Sequence, residues 1–149
     1  MLPLHYPDSC IFLELVSEDK ESKKELAQTY LYNIDRKYKV IVSSLTYGEI
    51  SMALMKTIKE DKNREMAFHK LNDILKWLDL CSPQFEDFEL ALELRRIHYK
   101  IEPADALHLA TAMNNNVQNF ITLGERGLAD NEIVKKFCKE RGIKIEAIG

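Results

Sequence analysis

Two kinds of apolar pattern alternate along the chain. Short runs of β-branched or alternating apolar residues predict strands at about 3–7, 39–43, 78–81, 119–122 and 143–148. Between them, apolar residues recur at helical spacing and predict helices at about 22–35, 46–59, 64–77, 85–99, 105–114 and 131–140. A short helix is expected to begin at Asp8, and the polar stretch 60–63 is expected to be a loop. The segment 105–114 is apolar on most of its sides, which is typical of a deeply buried helix.

The order of these elements predicts an α/β fold, because strands that alternate with helices form parallel sheets covered on both faces. We expect three layers, α/β/α, around a mostly parallel five-stranded sheet. A length of 149 residues fits a single domain over 1–149, and Gly (5) and Pro (4) are too few for long linkers. In sheets of this kind the functional crevice lies at the carboxyl ends of the strands, where the strand order reverses.

Composition excludes several classes of protein. Hydrophobic residues make up 46% of the chain and charged residues 30%, as in ordinary soluble domains. No apolar run approaches the ~20 residues that cross a bilayer, and 11–16 contains Glu14, so neither a membrane span nor a signal peptide is predicted. Cys10, Cys81 and Cys138 are too scattered for a disulfide framework, which favours a reducing cytoplasm. The net charge of −3 argues against a simple nucleic-acid binder.

Three acidic residues lie where predicted elements meet the carboxyl edge of the sheet. Asp8 directly follows the first strand, Glu49 lies about one helical turn past the second, and Asp105 opens the helix before the fourth. All three are therefore expected to face the same edge. Carboxylate oxygens are the ligands that Mg²⁺ and Mn²⁺ prefer, so a shared site for a divalent metal ion is predicted.

Helix capping is the competing interpretation of each acid taken alone. Asp8 and Asp105 have the residue type that caps a first helical turn, and Thr46 with Glu49 has the spacing of a capping box. Capping is favoured for any one of these positions considered singly. It requires only the acid, however, and the apolar patterns that surround all three acids favour the shared site.

Those patterns resemble the PIN-domain nucleases over essentially the whole chain. Asp8 and Ser9 followed by the apolar run 11–13, the segment 42–50 that ends just after Glu49, and the segment 105–112 are each similar to a motif of that family. The resemblance implies a metal-dependent endoribonuclease that cleaves single-stranded or loop RNA with Mg²⁺ or Mn²⁺. It also implies that Asp8 and Asp105 bind the metal and that Glu49 is a ligand or orients the attacking water.

The fourth motif departs from the family pattern. The family places an acid or Asn two residues after a strand Thr, and the residue at that distance from Thr122 is Gly124. Glu125, shifted by one, is the candidate for the missing metal ligand, with a water as the alternative. Ser9 and Thr122 are expected to position the acids or the phosphate. Arg126 is a candidate for substrate contact, although a plain surface role is favoured for it.

Two further residues near the motifs have competing interpretations. His108 lies about one turn after Asp105, so the two side chains can share a helix face. In so apolar a helix, a packed histidine held by an ordinary hydrogen bond is favoured over a metal ligand. Tyr47, beside the second motif, is a candidate for stacking on an RNA base, but a core role is favoured.

Size and resemblance together imply the toxin of a toxin–antitoxin pair, which would bind an antitoxin protein and form a homodimer. Spare apolar residues at Met52, Met55, Phe68 and Trp77 could form the dimer surface or fill the domain's own core. The main alternative is a catalytically weak or inactive PIN-fold module that binds RNA or protein. A structural helical module whose acids are only caps is the third interpretation.

Overall fold

A parallel sheet with helices on both faces organises the protein. The computed structural model describes residues 1–18, 23–124 and 127–149. The strands in these ranges are β1 (Leu4–Pro7), β2 (Lys39–Ser43), β3 (Asp79–Cys81), β4 (Asn119–Leu123) and β5 (Lys144–Ile148). The helices there are α1 (Ser9–Glu14), α2 (Lys24–Tyr32), α3 (Ser44–Thr57), α4 (Asp61–Leu75), α5 (Phe85–Ile97), α6 (Pro103–Asn114) and α7 (Glu132–Glu140). A short 3₁₀ turn covers Gly127–Asp130.

The strand order is β3-β2-β1-β4-β5, and every neighbouring pair is parallel. The chain builds outward from β1 through β2 to β3, and then crosses to the other side of β1 to add β4 and β5. The order therefore reverses between β1 and β4, where Pro7 pairs with Ile121. A crevice at the carboxyl ends of these two strands is expected from this topology. The predicted five-stranded α/β/α fold is confirmed.

Two hydrophobic cores lie on opposite faces of the sheet. Side chains of a strand alternate between its faces, so Phe120 enters one core and Ile121 the other. The first core is completed by α5, α6 and α7, and the second by α1, α2, α3 and α4. Each helix layer therefore holds the sheet through its own apolar contacts.

Helix α6 is the most deeply buried helix of the first core. Ala106, Leu109, Ala110 and Ala112 are each fully buried, which confirms the prediction of a central buried helix. The helix begins at Pro103, two residues earlier than predicted. Proline suits this position because the first turn of a helix leaves its N–H groups unpaired, and proline has none to pair.

The loop predicted at 60–63 is wrong over most of its length, because α4 begins at Asp61. Polar residues in a first helical turn remain in solvent, and an acid there gains from the helix dipole. Asp61 also pairs with Arg64 one turn later. Polarity alone therefore did not separate a loop from the first turn of a helix.

The apolar residues of the 52–78 region divide between surface and core. Phe68 packs against the second core, whereas Met52, Met55 and Trp77 remain 63%, 65% and 81% exposed. Within the described ranges, no helix has both the length and the apolar character that a membrane crossing requires.

Leu109→Ala tests the central role of α6. The side chain is fully buried, so its truncation should lower the free energy of unfolding by about 2–5 kcal/mol. Urea denaturation monitored by circular dichroism measures the loss. The matched control is Leu92→Ala, whose side chain is 64% exposed and whose loss should stay within about 0.5 kcal/mol. Equal losses in the two variants would contradict the packing described for α6.

Candidate metal centre

The fold brings Asp8, Glu49 and Asp105 to the carboxyl edge of the sheet. Asp8 follows β1 directly, and its backbone N–H donates to the carbonyl of Ile121 on β4 at 2.8 Å. Asp8, Glu49 and His108 each offer one ligand atom, and these atoms all lie within 4.8 Å of one another. Asp105 is not a member of this group, but it lies close enough for the charges of Asp8 and Glu49 to act on its carboxyl group. The carboxylates of Asp8 and Glu49 therefore meet, and a metal site that they share with Asp105 stays a prediction.

The capping interpretation of these acids is wrong. Asp8 occupies the N-cap position of α1, but its side chain makes no capping hydrogen bond. Helix α3 starts at Ser44, so Glu49 lies beyond the first turn and forms no capping box with Thr46. In α6 the N-cap position belongs to Glu102, and Asp105 is the third helical residue. Helices α3 and α6 begin earlier than their acids suggested, and Asp8 caps α1 by position only, which leaves the three carboxylates available to a ligand.

Ser9 joins two of the acids. Its hydroxyl is buried at the start of α1, and it lies 3.2 Å from Oε1 of Glu49 and 3.4 Å from Oδ1 of Asp8 as a donor. One hydroxyl hydrogen therefore serves two carboxylates. This position matches the role of orienting acids that the sequence predicted for Ser9.

A buried chain of hydrogen bonds reaches the acids from the interior. His108 is fully buried, its Nε2 contacts Oε1 of Glu49, and its Nδ1 lies 2.5 Å from the hydroxyl of Tyr6. The Tyr6 hydroxyl in turn lies 2.7 Å from Oγ of Ser43. His108 is thus a packed histidine, as favoured from the sequence, but its partner is an acid of the site.

Tyr6 and Ser43 were not identified as site residues from the sequence. The signal for Tyr6 was its position two residues before Asp8 on a strand, where alternation places both side chains on one face. Ser43 ends β2 as Pro7 ends β1, and both residues reach the carboxyl edge. Neither signal names a partner, because the contacts join residues that are 37 and 102 positions apart in the chain.

Burial and mutual repulsion disturb the ionisation of the acids. Burial and the charge of Asp8 together raise the pKa of Asp105 to about 6, against the opposing effect of His108. Burial also raises the pKa of Asp8, where His108 again opposes it and Glu49 adds to it. Burial acts in the same direction on Glu49, but hydrogen bonds from His108 and Ser9 outweigh it and leave the pKa of Glu49 below its ordinary value. A bound cation would relieve the repulsion that Asp8 and Asp105 experience.

The donor groups fit a hard divalent cation such as Mg²⁺ or Mn²⁺. Three carboxylates supply oxygen ligands, and such ions prefer oxygen. Thr122 lies level with Asp8 on the neighbouring strand, since Pro7 pairs with Ile121. The Thr122 hydroxyl is buried and has no hydrogen-bond partner among the described residues. An unsatisfied buried hydroxyl beside the acids is expected where a ligand or its hydration shell completes the site.

Gly124 stands where a fourth acid was sought. Its φ angle is +86°, a conformation that side chains rarely adopt, and a Cβ there would lie 3.1 Å from Nζ of Lys23. The backbone conformation therefore disfavours a side chain at this position, whereas Nζ of Lys23 is the far end of a flexible side chain and can shift. Glu125 and Arg126 lie outside the described residues, so their proposed roles stay predictions. Tyr47 is partly buried against the second core, in line with the favoured core role.

Comparisons with known proteins agree with this architecture. The PIN domain family matches residues 5–133. A chain of VapBC2 from Rickettsia felis, solved with a promoter DNA fragment, is 16% identical with a TM-score of 0.66 over 98% of this chain and 99% of that one. FitAcB from Neisseria gonorrhoeae is 14% identical with a TM-score of 0.66 over 95% of both chains. VapC20 from Mycobacterium tuberculosis, described as a sarcin-ricin loop cleaving toxin, is 18% identical with a TM-score of 0.61 over 78% of this chain and 86% of that one. No curated protein sequence matches the chain.

The repulsion within the site predicts how stability changes with pH. The folded-state pKa of Asp105 is raised from 3.8 to about 6, so the folded protein binds this proton more tightly than the unfolded chain does. Without metal, the contribution of Asp105 should stabilise the protein as pH falls through this interval and be lost as pH rises above about 6. Asp105→Asn should therefore raise the thermal midpoint at about pH 7.5 by a few degrees and raise it by a smaller amount at about pH 5.

Mn²⁺ provides the complementary measurement on the same two proteins. It should raise the midpoint of the wild type more at about pH 7.5 than at about pH 5, because protons compete with the ion for the carboxylates. Asp105→Asn should lose most of this gain. A variant that destabilises the ion-free protein at neutral pH, or that responds to Mn²⁺ as the wild type does, would contradict the arrangement of charges described here.

Proposed function

This chain belongs to the PIN-domain family, and we propose that it is a metal-dependent endoribonuclease that hydrolyses phosphodiester bonds. The observation that carries the proposal is the meeting of Asp8 and Glu49 at the carboxyl edge of the sheet, with Asp105 close enough for their charges to act on it and none of the three acids used as a helix cap. A group of half-buried acids that repel one another is unfavourable in a protein without a compensating ligand. The oxygen-rich donor set supports Mg²⁺ or Mn²⁺ as that ligand.

The proposed roles follow from the position of each side chain. Asp8 and Asp105 hold the ion, and Glu49 contributes a further oxygen. When bound, such an ion activates a water and offsets the charge that develops on the phosphate oxygens. Ser9 keeps Asp8 and Glu49 in register through its shared hydroxyl. Thr122, with its free buried hydroxyl beside Asp8, supplies a hydrogen bond to the ion's hydration shell or to the phosphate.

RNA is the proposed substrate, and an antitoxin protein is the proposed partner. Support comes from the family and from structural neighbours described as toxin–antitoxin complexes or as a sarcin-ricin loop cleaving toxin. The proposal places the protein in the cytoplasm as the toxin of such a pair. A homodimer is proposed because Met52, Met55 and Trp77 leave large apolar side chains on the surface.

A second function is supported by Gly124. The position offers no fourth acid, and its backbone conformation disfavours one. A PIN-fold module that binds RNA or protein with little or no catalysis would retain the fold and lose part of the metal site. The net charge of −3 is also unusual for a protein that grips nucleic acid through its phosphates.

Asp105→Ala separates the two functions. Cleavage of a panel of single-stranded and hairpin RNAs in Mn²⁺ should fall by more than about 100-fold, since even residues that merely orient a metal ligand contribute about 10- to 100-fold. The matched control is Asp73→Ala, whose side chain is 72% exposed on α4 and which should leave the rate unchanged. Thermal midpoints of both variants establish that they are folded. Wild-type protein that binds these RNAs without cutting them would favour the binding module, and cleavage that survives Asp105→Ala would exclude the proposed site.

A further inference from the structure

One oxygen of Glu49 carries all of the recorded hydrogen bonds to that carboxylate. Both the Ser9 hydroxyl and Nε2 of His108 reach Oε1, and the described residues provide Oε2 with no hydrogen bond. The carboxylate is therefore held from one side only. Two donors on a single oxygen restrict the orientation of the carboxylate and leave the second oxygen available to a ligand.

The donor His108 is itself fixed from behind. Its ring is fully buried, and the Tyr6 hydroxyl lies 2.5 Å from Nδ1. Tyr6 is also fully buried, its ring is stacked on Phe120 at 5.4 Å between centroids, and its hydroxyl is held by Ser43 at 2.7 Å. Burial therefore restricts the rotation of both the His108 and the Tyr6 side chains. The orientation of Glu49 is consequently set by residues that lie behind the site.

We propose that His108 and Tyr6 are positioning residues: Tyr6 holds the His108 ring, and His108 binds Oε1 of Glu49, so that Oε2 is the oxygen presented to a metal ion. This inference rests on the proposed metal-dependent function. It assigns His108 a role through Glu49, so the imidazole is not itself a metal ligand. The geometry carries the assignment, because the Nε2 atom that would have to bind a metal is the atom that contacts Glu49.

The hydrogen-bond chemistry sets the direction of the bonds in this chain. A carboxylate only accepts hydrogen bonds, so the bond to Glu49 requires a hydrogen on Nε2. The Tyr6 hydroxyl donates its one hydrogen to Oγ of Ser43, which leaves the Tyr6 oxygen as an acceptor towards Nδ1 of His108. Burial raises the pKa of Tyr6, so its hydroxyl keeps the hydrogen that it donates. A buried phenol thereby holds the ring of a histidine that holds a metal-binding acid, which is how outer residues commonly tune a metal site.

Mn²⁺ bound to the wild-type protein gives a direct test of the assignment. Electron spin-echo spectroscopy of the bound ion detects a directly coordinated imidazole nitrogen by its ¹⁴N coupling. The inference predicts that Mn²⁺ binds and that no such coupling is seen. A coordinated nitrogen that disappears in His108→Gln would overturn the inference while leaving the proposed function in place. Wild-type protein that fails to bind Mn²⁺ would overturn the proposed function, and this inference with it.

Variants test the positioning role through affinity for Mn²⁺ measured by calorimetry. His108→Ala should weaken binding by about 10- to 100-fold, and His108→Gln should recover part of this loss because its amide also places an N–H donor near Glu49. Tyr6→Phe keeps the buried ring and should weaken binding by a smaller factor. The matched controls are His69→Gln and Tyr32→Phe, whose side chains are exposed. Affinities of His108→Ala and Tyr6→Phe equal to that of the wild type would overturn the inference.

Discussion

Repulsion among Asp8, Glu49 and Asp105 is the constraint on which the arrangement of this sheet edge depends. The folded chain holds the three carboxylates half-buried, where the charge of Glu49 raises the pKa of Asp8 and the charges of Asp8 and Glu49 both raise the pKa of Asp105. The surrounding residues stabilise the ionised form of only one of the three acids. Glu49 is given two hydrogen-bond donors and remains readily ionised, whereas Asp8 and Asp105 are left with raised pKa values. The unrelieved part of the repulsion is the driving force for binding a cation.

The surrounding fold holds these charged residues in place despite their repulsion. Asp8 is anchored by a backbone hydrogen bond across the point where the strand order reverses, and Asp105 is carried by the most deeply buried helix of the first core. Neither the backbone hydrogen bond nor the apolar packing of the helix depends on the charges of the acids. The site can therefore persist despite its unfavourable electrostatics, because the packing of the two hydrophobic cores stabilises the fold around it.

Much of the fold could be predicted from the sequence, because the patterns that specify its elements lie in neighbouring residues. The run 39–43 is rich in β-branched residues, and the segment 105–114 is apolar on most of its sides. Both elements could therefore be predicted from residues that are neighbours in the sequence. The three acids were found because each one closely follows or precedes such an element. Helix starts were less predictable. Helices α3 and α6 begin at Ser44 and Pro103, each two residues before the expected cap at Thr46 or Asp105. Because of this shift, Glu49 and Asp105 do not act as caps.

The hydrogen-bond chain behind the acids was beyond the reach of the sequence. Tyr6 and His108 meet only when β1 packs under α6, and the residues between them carry no pattern that records the contact. Gly124 shows a second limit, since its sequence position indicated a missing ligand but not the positive φ angle that makes a side chain unfavourable there. Contacts of long sequence separation and backbone conformation at single residues both come from the assembled fold.

The most direct test of the central claim is the location of Mn²⁺ by anomalous scattering from crystals of the wild-type protein grown with the ion. The account predicts an anomalous peak bound by carboxylate oxygens of Asp8, Glu49 and Asp105, with Oε1 of Glu49 still turned towards His108. A crystal in which these carboxylates carry no ion at saturating Mn²⁺, or in which the ion lies elsewhere on the chain, would contradict it.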